Sequence, residues 1–252
     1  KKDDKPKFPP PPDKVEGFVH LHVHTEYSLL DGAARLVSGK KSPLLDAVWN
    51  KGMRAMAITD HGNMFAAYTF QKKAKDHGIK SIIGCEFYTC ADMNVHDRER
   101  NHLLLIAKNN EGYYNLVKLN SLAYTQGFHY KPRIDLKLLK EHSKGLICLS
   151  ACLAGKIPQL LLADDYEAAK QYAITLRDMF DEGDFYIELQ DHGIRTEEDK
   201  SQTRAACKRD RRQGGGDQRR ALYRAFGRGN ARSSAVYPDG QNAGRPFAHE
   251  VR

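Results

Sequence analysis

Apolar positions in this chain come in short blocks separated by longer amphipathic stretches. The first block lies in FVHLHVHTEYSLLDG, Phe18 to Gly32, where Phe18, Val19, Leu21 and Val23 bracket His20, His22 and His24. Alternation with a period of two predicts an extended segment with the three imidazoles on one face. SPLLDAVWNKG (Ser42 to Gly52) has a serine at its start, apolar residues at helical spacing and a closing glycine, and predicts a helix. AMAITDHGN (Ala55 to Asn63) predicts a strand running into a polar turn, FAAYTFQKKAKDHG a helix closed by Gly78, and KSIIGCEFYTC (Lys80 to Cys90) a strand. The alternation continues with a strand at HLLLIAKN (His102 to Asn109), a helix at EGYYNLVKLNSLAYTQG and a strand at GLICLSACL (Gly145 to Leu153). A helix at YEAAKQYAITLRDMFDEG and a strand at DFYIELQDHG (Asp184 to Gly193) complete it. Six apolar strands interleaved with helices imply an α/β fold with a parallel sheet covered by helices, either a barrel or a doubly wound sheet.

Length and composition narrow the class. The 252 residues suffice for one large domain with a full core. No apolar run approaches the ~18 residues of a spanning helix, so no membrane partner is expected. Five cysteines without paired spacing argue for a reducing, cytoplasmic setting over a disulfide framework. The start, KKDDKPKFPPPPDK, reads as a flexible Lys/Pro-rich leader over residues 1–16, and the missing initiating methionine marks the sequence as a fragment. The net charge of +8 resembles a nucleic-acid footprint until it is located. Residues 201–252 hold 12 Lys+Arg and 4 Asp+Glu, which leaves 28 of each before them. The body of the chain is therefore neutral, and the excess sits in an arginine-rich tail with a Gly214–Gly215–Gly216 run. A basic nucleic-acid arm is the usual reading of such a tail.

Side chains able to bind metal gather at the ends of the predicted strands. His22 and His24 are in the first, Asp60 and His61 follow the second, Glu86 is on the third, His102 opens the fourth, Cys152 is near the end of the fifth, and Glu188 and His192 are on the sixth. His22 and His24 offer a pair of imidazoles, and Asp31 just beyond can add an oxygen. Parallel α/β folds collect strand termini around one site, which favours a common centre. Each residue alone has a plainer explanation: a surface histidine strand, a salt-bridged Glu86, Cys152 as a small core residue. His102 fits the pattern less well, because it precedes its apolar run.

FVHLHVHTEYSLLDG, AITDHGNM, GCEFY, HLLLIAKNNEGYYNL, YKPRID, LSACLAGKIP and ELQDHG, in this order and spacing, resemble the polymerase and histidinol phosphatase (PHP) domain at the amino end of bacterial DNA polymerase III alpha subunits. The resemblance covers about 17–193, and LLDG, GYYNL and LSACLAG are similar to the polymerase branch and not to the stand-alone phosphatases. It implies a distorted seven-stranded β/α barrel over residues 17–200, with up to three metal ions at one mouth. Zinc suits the donors; manganese or iron are alternatives. Carried over by motif, the implied ligands are His22, His24, Asp31, His61, Glu86, His102 and Cys152, with Glu86 as a bridge and catalytic group. Asp60 is implied as a catalytic partner behind His61, and Arg133 as a phosphate contact or a structural ion pair. The implied activity is metal-dependent 3′–5′ exonuclease action on the 3′ end of single-stranded DNA. The implied partners are the remaining polymerase domains, which hold the DNA-directed polymerase site, and other replisome subunits. A non-catalytic, metal-stabilised scaffold is the competing implication.

The resemblance also implies an aspartate and a histidine in a last strand like VATNDVHY, which is absent. Gln213 to Leu222 back-translates so that reading one base later permits KVVATNDVHY, and the same offset from Val236 to Val251 permits CIQTGKTLADPSRMKF. Both resemble the family and both stand in the right order. Residues 201–252 therefore read as an aberrant, off-frame tail, with the slip between about Glu197 and Cys207. A chain lacking that strand is expected to bind metal weakly.

Overall fold

A computed structural model describes residues 18–190, together with a two-residue strand at His249–Glu250. The expected leader over 1–16, His192 and the rest of the tail lie outside the described residues. The helices are α1 (Pro43–Asn50), α2 (Ala67–Asp76), α3 (Asn110–Thr125), α4 (Leu136–Glu141), α5 (Lys156–Leu162) and α6 (Tyr166–Arg177). The strands are β1 (Ala55–Ile58), β2 (Lys80–Cys90), β3 (Asn101–Ala107), β4 (Phe128–His129), β5 (Lys131–Asp135), β6 (Leu146–Leu149), β7 (Phe185–Tyr186) and β8 (Leu189–Gln190), with β9 at His249–Glu250. Three helices start on side-chain caps that satisfy an otherwise unpaired amide: Asn109, Asp135 and Asp165 accept from Gly112, Leu138 and Ala168.

One mixed sheet organises the fold in the order β4-β5-β2-β3-β6-β7, with β1 joined to β2. The expectation of a parallel sheet is corrected at β3, which pairs antiparallel with both β2 and β6. The reason is local: the 91–100 connection between β2 and β3 carries no crossover helix, and a strand that follows such a connection returns antiparallel. The long strand β2 holds β3 along one edge. Along the other it pairs with β1 at Ile83 and earlier and with β5 at Tyr88 and beyond. Between those two partners His61 bridges to Glu86, which places the turn after β1 against the middle of β2.

Side-chain alternation along β3 divides the core. Leu103 and Leu105 pack with Phe87, Leu116, Leu119 and Phe185, whereas Leu104 and Ile106 face Leu149, Leu21, Ile82 and Tyr186. A third cluster joins α1, β1 and α2 through Leu45, Val48, Met56, Ile58 and Phe70. The predicted first strand is extended backbone and forms no ladder; it lies along β1 through Ala57 N–H to His20 O (2.8 Å) and Thr59 N–H to Val23 O (2.8 Å). A bend at His22 interrupts the alternation, so His20 packs edge-on against the Phe18 ring (centroids 4.9 Å apart).

Candidate metal centre

Glu86 stands where β2 changes partners, and four imidazoles converge on its carboxylate. His22 Nε2, His24 Nε2 and His61 Nδ1 lie 3.3, 3.2 and 2.9 Å from Oε2, and His102 Nδ1 lies 3.0 Å from Oε1. Cys152 Sγ approaches His102 Nδ1 at 3.3 Å and Glu86 Oε1 at 3.7 Å. Asp31 Oδ2 reaches His61 Nε2 at 2.9 Å from the solvent side. All seven residues of the implied ligand set therefore meet in one place. His102 joins because β3 is reversed: its amino end lies at the mouth where the other strands end.

Neighbouring groups settle which nitrogens of this cluster carry protons. Asp60 is buried and accepts from Thr25 N–H (2.7 Å), Thr25 Oγ1 (2.8 Å) and Ser28 Oγ (2.7 Å). Ser28 has one proton, and it goes to Asp60. The hydroxyl oxygen is then an acceptor for His61 N–H (3.1 Å) and for His24 Nδ1 (3.3 Å). That leaves His24 Nε2 with a lone pair facing Glu86. His22 does the same: Nδ1 donates to Glu188 Oε1 at 2.7 Å, and Nε2 turns its lone pair to Glu86. Lone pairs on imidazole nitrogen and carboxylate oxygen at such distances repel unless a cation or a proton lies between them. Glu86 Oε2 and His61 Nδ1, both buried, take part in no hydrogen bond among the described residues. The donor set of imidazoles, carboxylates and one thiol suits zinc and related divalent ions, and it forms two groups, His22–His24–Glu86 and His61–Glu86–His102, that share Glu86.

Without an ion, protons take its place. Burial alone would raise the Glu86 pKa, but His22 and the other imidazoles reverse the sign and hold the carboxyl well below the usual range. Burial opposes charge on His22, and Glu188 and Glu86 overcome it, so its pKa stands well above 6.5. His61 is raised against burial by Glu86 and Asp31, while burial dominates at His24 and lowers it. Burial, then Glu86, pushes the Cys152 thiol up to about 12.

The Asp60 carboxylate shapes the 25–28 turn and reaches His24 and His61 through Ser28. Arg133 is 1 % exposed and its guanidinium is spent on the β2–β3 connection, at Asp97 Oδ1 (2.9 Å) and Val95 O (2.8 Å). These contacts have the geometry of a structural ion pair. Glu188 and Ser28 do positioning work that the motifs did not assign; the signal for Glu188 was a lone carboxylate in the apolar run FYIEL.

A model of the PHP domain matches residues 20–192. The DNA polymerase III subunit alpha of Treponema pallidum is 47 % identical over 183 residues, covering 70 % of this chain and 15 % of that protein. The subunits of Helicobacter pylori strain 26695 (47 % over 192 residues, 71 % of this chain) and Thermus aquaticus (46 % over 190 residues, 70 % of this chain) match similarly. The chain spans about 15 % of the length of the curated relatives it matches.

Proposed function

The chain belongs to the PHP domain family, matched over residues 20–192, and from that premise we propose that it is the amino-terminal module of a DNA polymerase III alpha subunit with a divalent-metal site for 3′–5′ hydrolysis of single-stranded DNA. The observation that carries this reading is the convergence of four imidazoles and a thiol on the single buried carboxylate of Glu86. His22, His24 and Glu86 would hold one ion, and His61, Glu86 and His102 a second, with Asp31 and Cys152 adding donors. Zinc is the preferred ion, manganese or iron are alternatives, and up to three ions complete the site. Bound divalent ions supply Lewis acidity toward a phosphoryl oxygen and acidify water at neutral pH. The chain's own contribution is orientation: Glu188 fixes the His22 tautomer, Asp60 acts through Ser28 on His24 and His61, and Glu86 holds negative charge between the two ligand groups.

The finer architecture of this reading is a distorted seven-stranded barrel. Leu21 of the first segment shares a cluster with Leu104, Leu149 and Tyr186, which supports a sheet curling back toward its start. The closing strand would be the NDVH segment of the shifted frame, and its aspartate and histidine would complete the ligand set. The remaining polymerase domains, other replisome subunits and a cytoplasmic setting belong to the same proposal. No helix among the described residues is long and apolar enough to cross a membrane, and Cys85, Cys90, Cys148 and Cys152 are free thiols.

Nucleotide sequencing across codons 195 to 252 tests the frame: KVVATNDVHY one base later supports it, and its absence from every frame overturns it. With that frame restored, 5′-labelled single-stranded DNA should shorten from its 3′ end when zinc or manganese is added. No shortening by the metal-loaded protein would leave the scaffold reading. That second reading has its own support in Leu29 and Leu30, 88 % and 89 % exposed beside the site, which suit packing against another polymerase domain.

A further inference from the structure

Beside the metal centre lies a recess of about 490 Å³ lined by Arg98, Glu99, Arg100, Asn101, Lys156 and Gln159. It adjoins the centre through the backbone: His102 N–H donates to Ala154 O (2.9 Å), and residues 101 and 156 flank that contact. Its one carboxylate, Glu99, is engaged by Lys156 at 2.8 Å and by Ala91 N–H at 2.9 Å. Arg98 and Arg100 are exposed, and Arg98 lies 5.6 Å over the ring of Tyr130. Tyr130 is 65 % exposed and stands edge-on to His129 at 4.6 Å, which stacks on His96 at 4.9 Å, so the three rings form a stepped aromatic shelf. Lys131 covers Tyr88, whose ring in turn stacks on that of His61 (6.1 Å).

We propose that this recess and shelf form a seat for a single nucleic-acid strand, with Arg98 and Arg100 on backbone phosphates and Tyr130 under a base, holding the strand whose end enters the metal centre. Cations interleaved with an exposed ring are what a flexible polyanion with stacking bases requires, and neither group discriminates sequence. The Arg133 anchor gives the seat its rigidity. It ties down Val95, Asp97 and Glu99, so Arg98 and Arg100 project from a fixed connection. The seat rests on the nuclease reading for its purpose, but its occupancy can be measured without hydrolysis.

The test uses the full chain in chelator with an oligothymidylate carrying 5-iodouracil, irradiated and mapped by peptide mass spectrometry, beside anisotropy titrations over a range of salt. Adducts are expected on Tyr130. The variant carrying Arg98→Gln and Arg100→Gln should lose most of them, bind about tenfold more weakly and show a salt slope smaller by about 1.4, two cations at ~0.7 each. Lys118→Gln, an exposed change on α3, should alter none of these. Adducts confined to residues beyond 200, an unchanged slope in the double variant, or equal displacement by polyaspartate would overturn the proposal. In the frame-restored protein, adducts without any metal-dependent shortening would keep the seat and remove the nuclease; shortening without adducts would do the reverse.

Discussion

Glu86 is the residue on which the site depends, because it is the one anion shared by both ligand groups. Glu86→Gln keeps the volume and removes the charge. It should abolish zinc-induced stabilisation in thermal unfolding, whereas replacing the peripheral Asp31, 57 % exposed, should only weaken it. Arg133 sits at the other extreme. Arg133→Met should cost about 1–3 kcal/mol, since the β2–β3 connection loses the part-buried donor that ties its carbonyls and Asp97 together; chemical denaturation reads this directly. A phosphate-binding role would instead leave stability unchanged and raise KM. Glu86 was legible in the sequence because a carboxylate inside an apolar strand needs a reason. Arg133 was legible only in part: a structural ion pair was one of its two readings and Asp97 Oδ1 is that partner, but the carbonyls of Val95, Asp97 and Glu99 that take the rest of the guanidinium leave no mark on a sequence.

Elements position these residues through a few tight approaches. Gly32 closes the 28–32 turn that carries Asp31, and a Cβ there would sit 1.8 Å from Thr25 O. Gly32→Ala should therefore displace the turn, cost about 1–3 kcal/mol as overpacking usually does, and lower metal affinity through Asp31. Gly62, at φ +60, follows His61 and turns the chain away once the imidazole is placed. Strand and helix positions were largely readable: β2 runs from Lys80 to Cys90 as its pattern predicts, and α3 and α6 begin within a residue of expectation. The reversal of β3 was not readable, because apolar periodicity carries no direction. It is the fact that resolves why His102, placed before its apolar run, still reaches the centre. The strand β5 and helix α5 escaped the pattern too: KPRID has a single aliphatic residue, and α5 spans seven residues with Pro158 near its start.

For the whole molecule, pH and metal should act in opposition. The raised values of His22 and His61 contribute stability that is fully present below 6.5 and lost as pH rises through their folded values. The lowered value of Glu86 contributes stability present above 4.5 and lost as pH falls below it. The metal-free chain should therefore lose stability above 6.5 as His22 and His61 give up their protons, whereas the lowered His20 and His24 oppose folding below 6.5. With zinc present the trend above 6.5 should reverse, because protons compete with the ion for the same nitrogens. Thermal unfolding from pH 5 to 8, with and without zinc, checks both slopes; parallel curves would contradict the assignment.

The most direct test of the metal centre is native mass spectrometry of the chain and of Glu86→Gln after equilibration with zinc. At least one specifically bound ion on the parent chain, and none on the variant, is the predicted result. Equal zinc content in the two would contradict a centre built on Glu86.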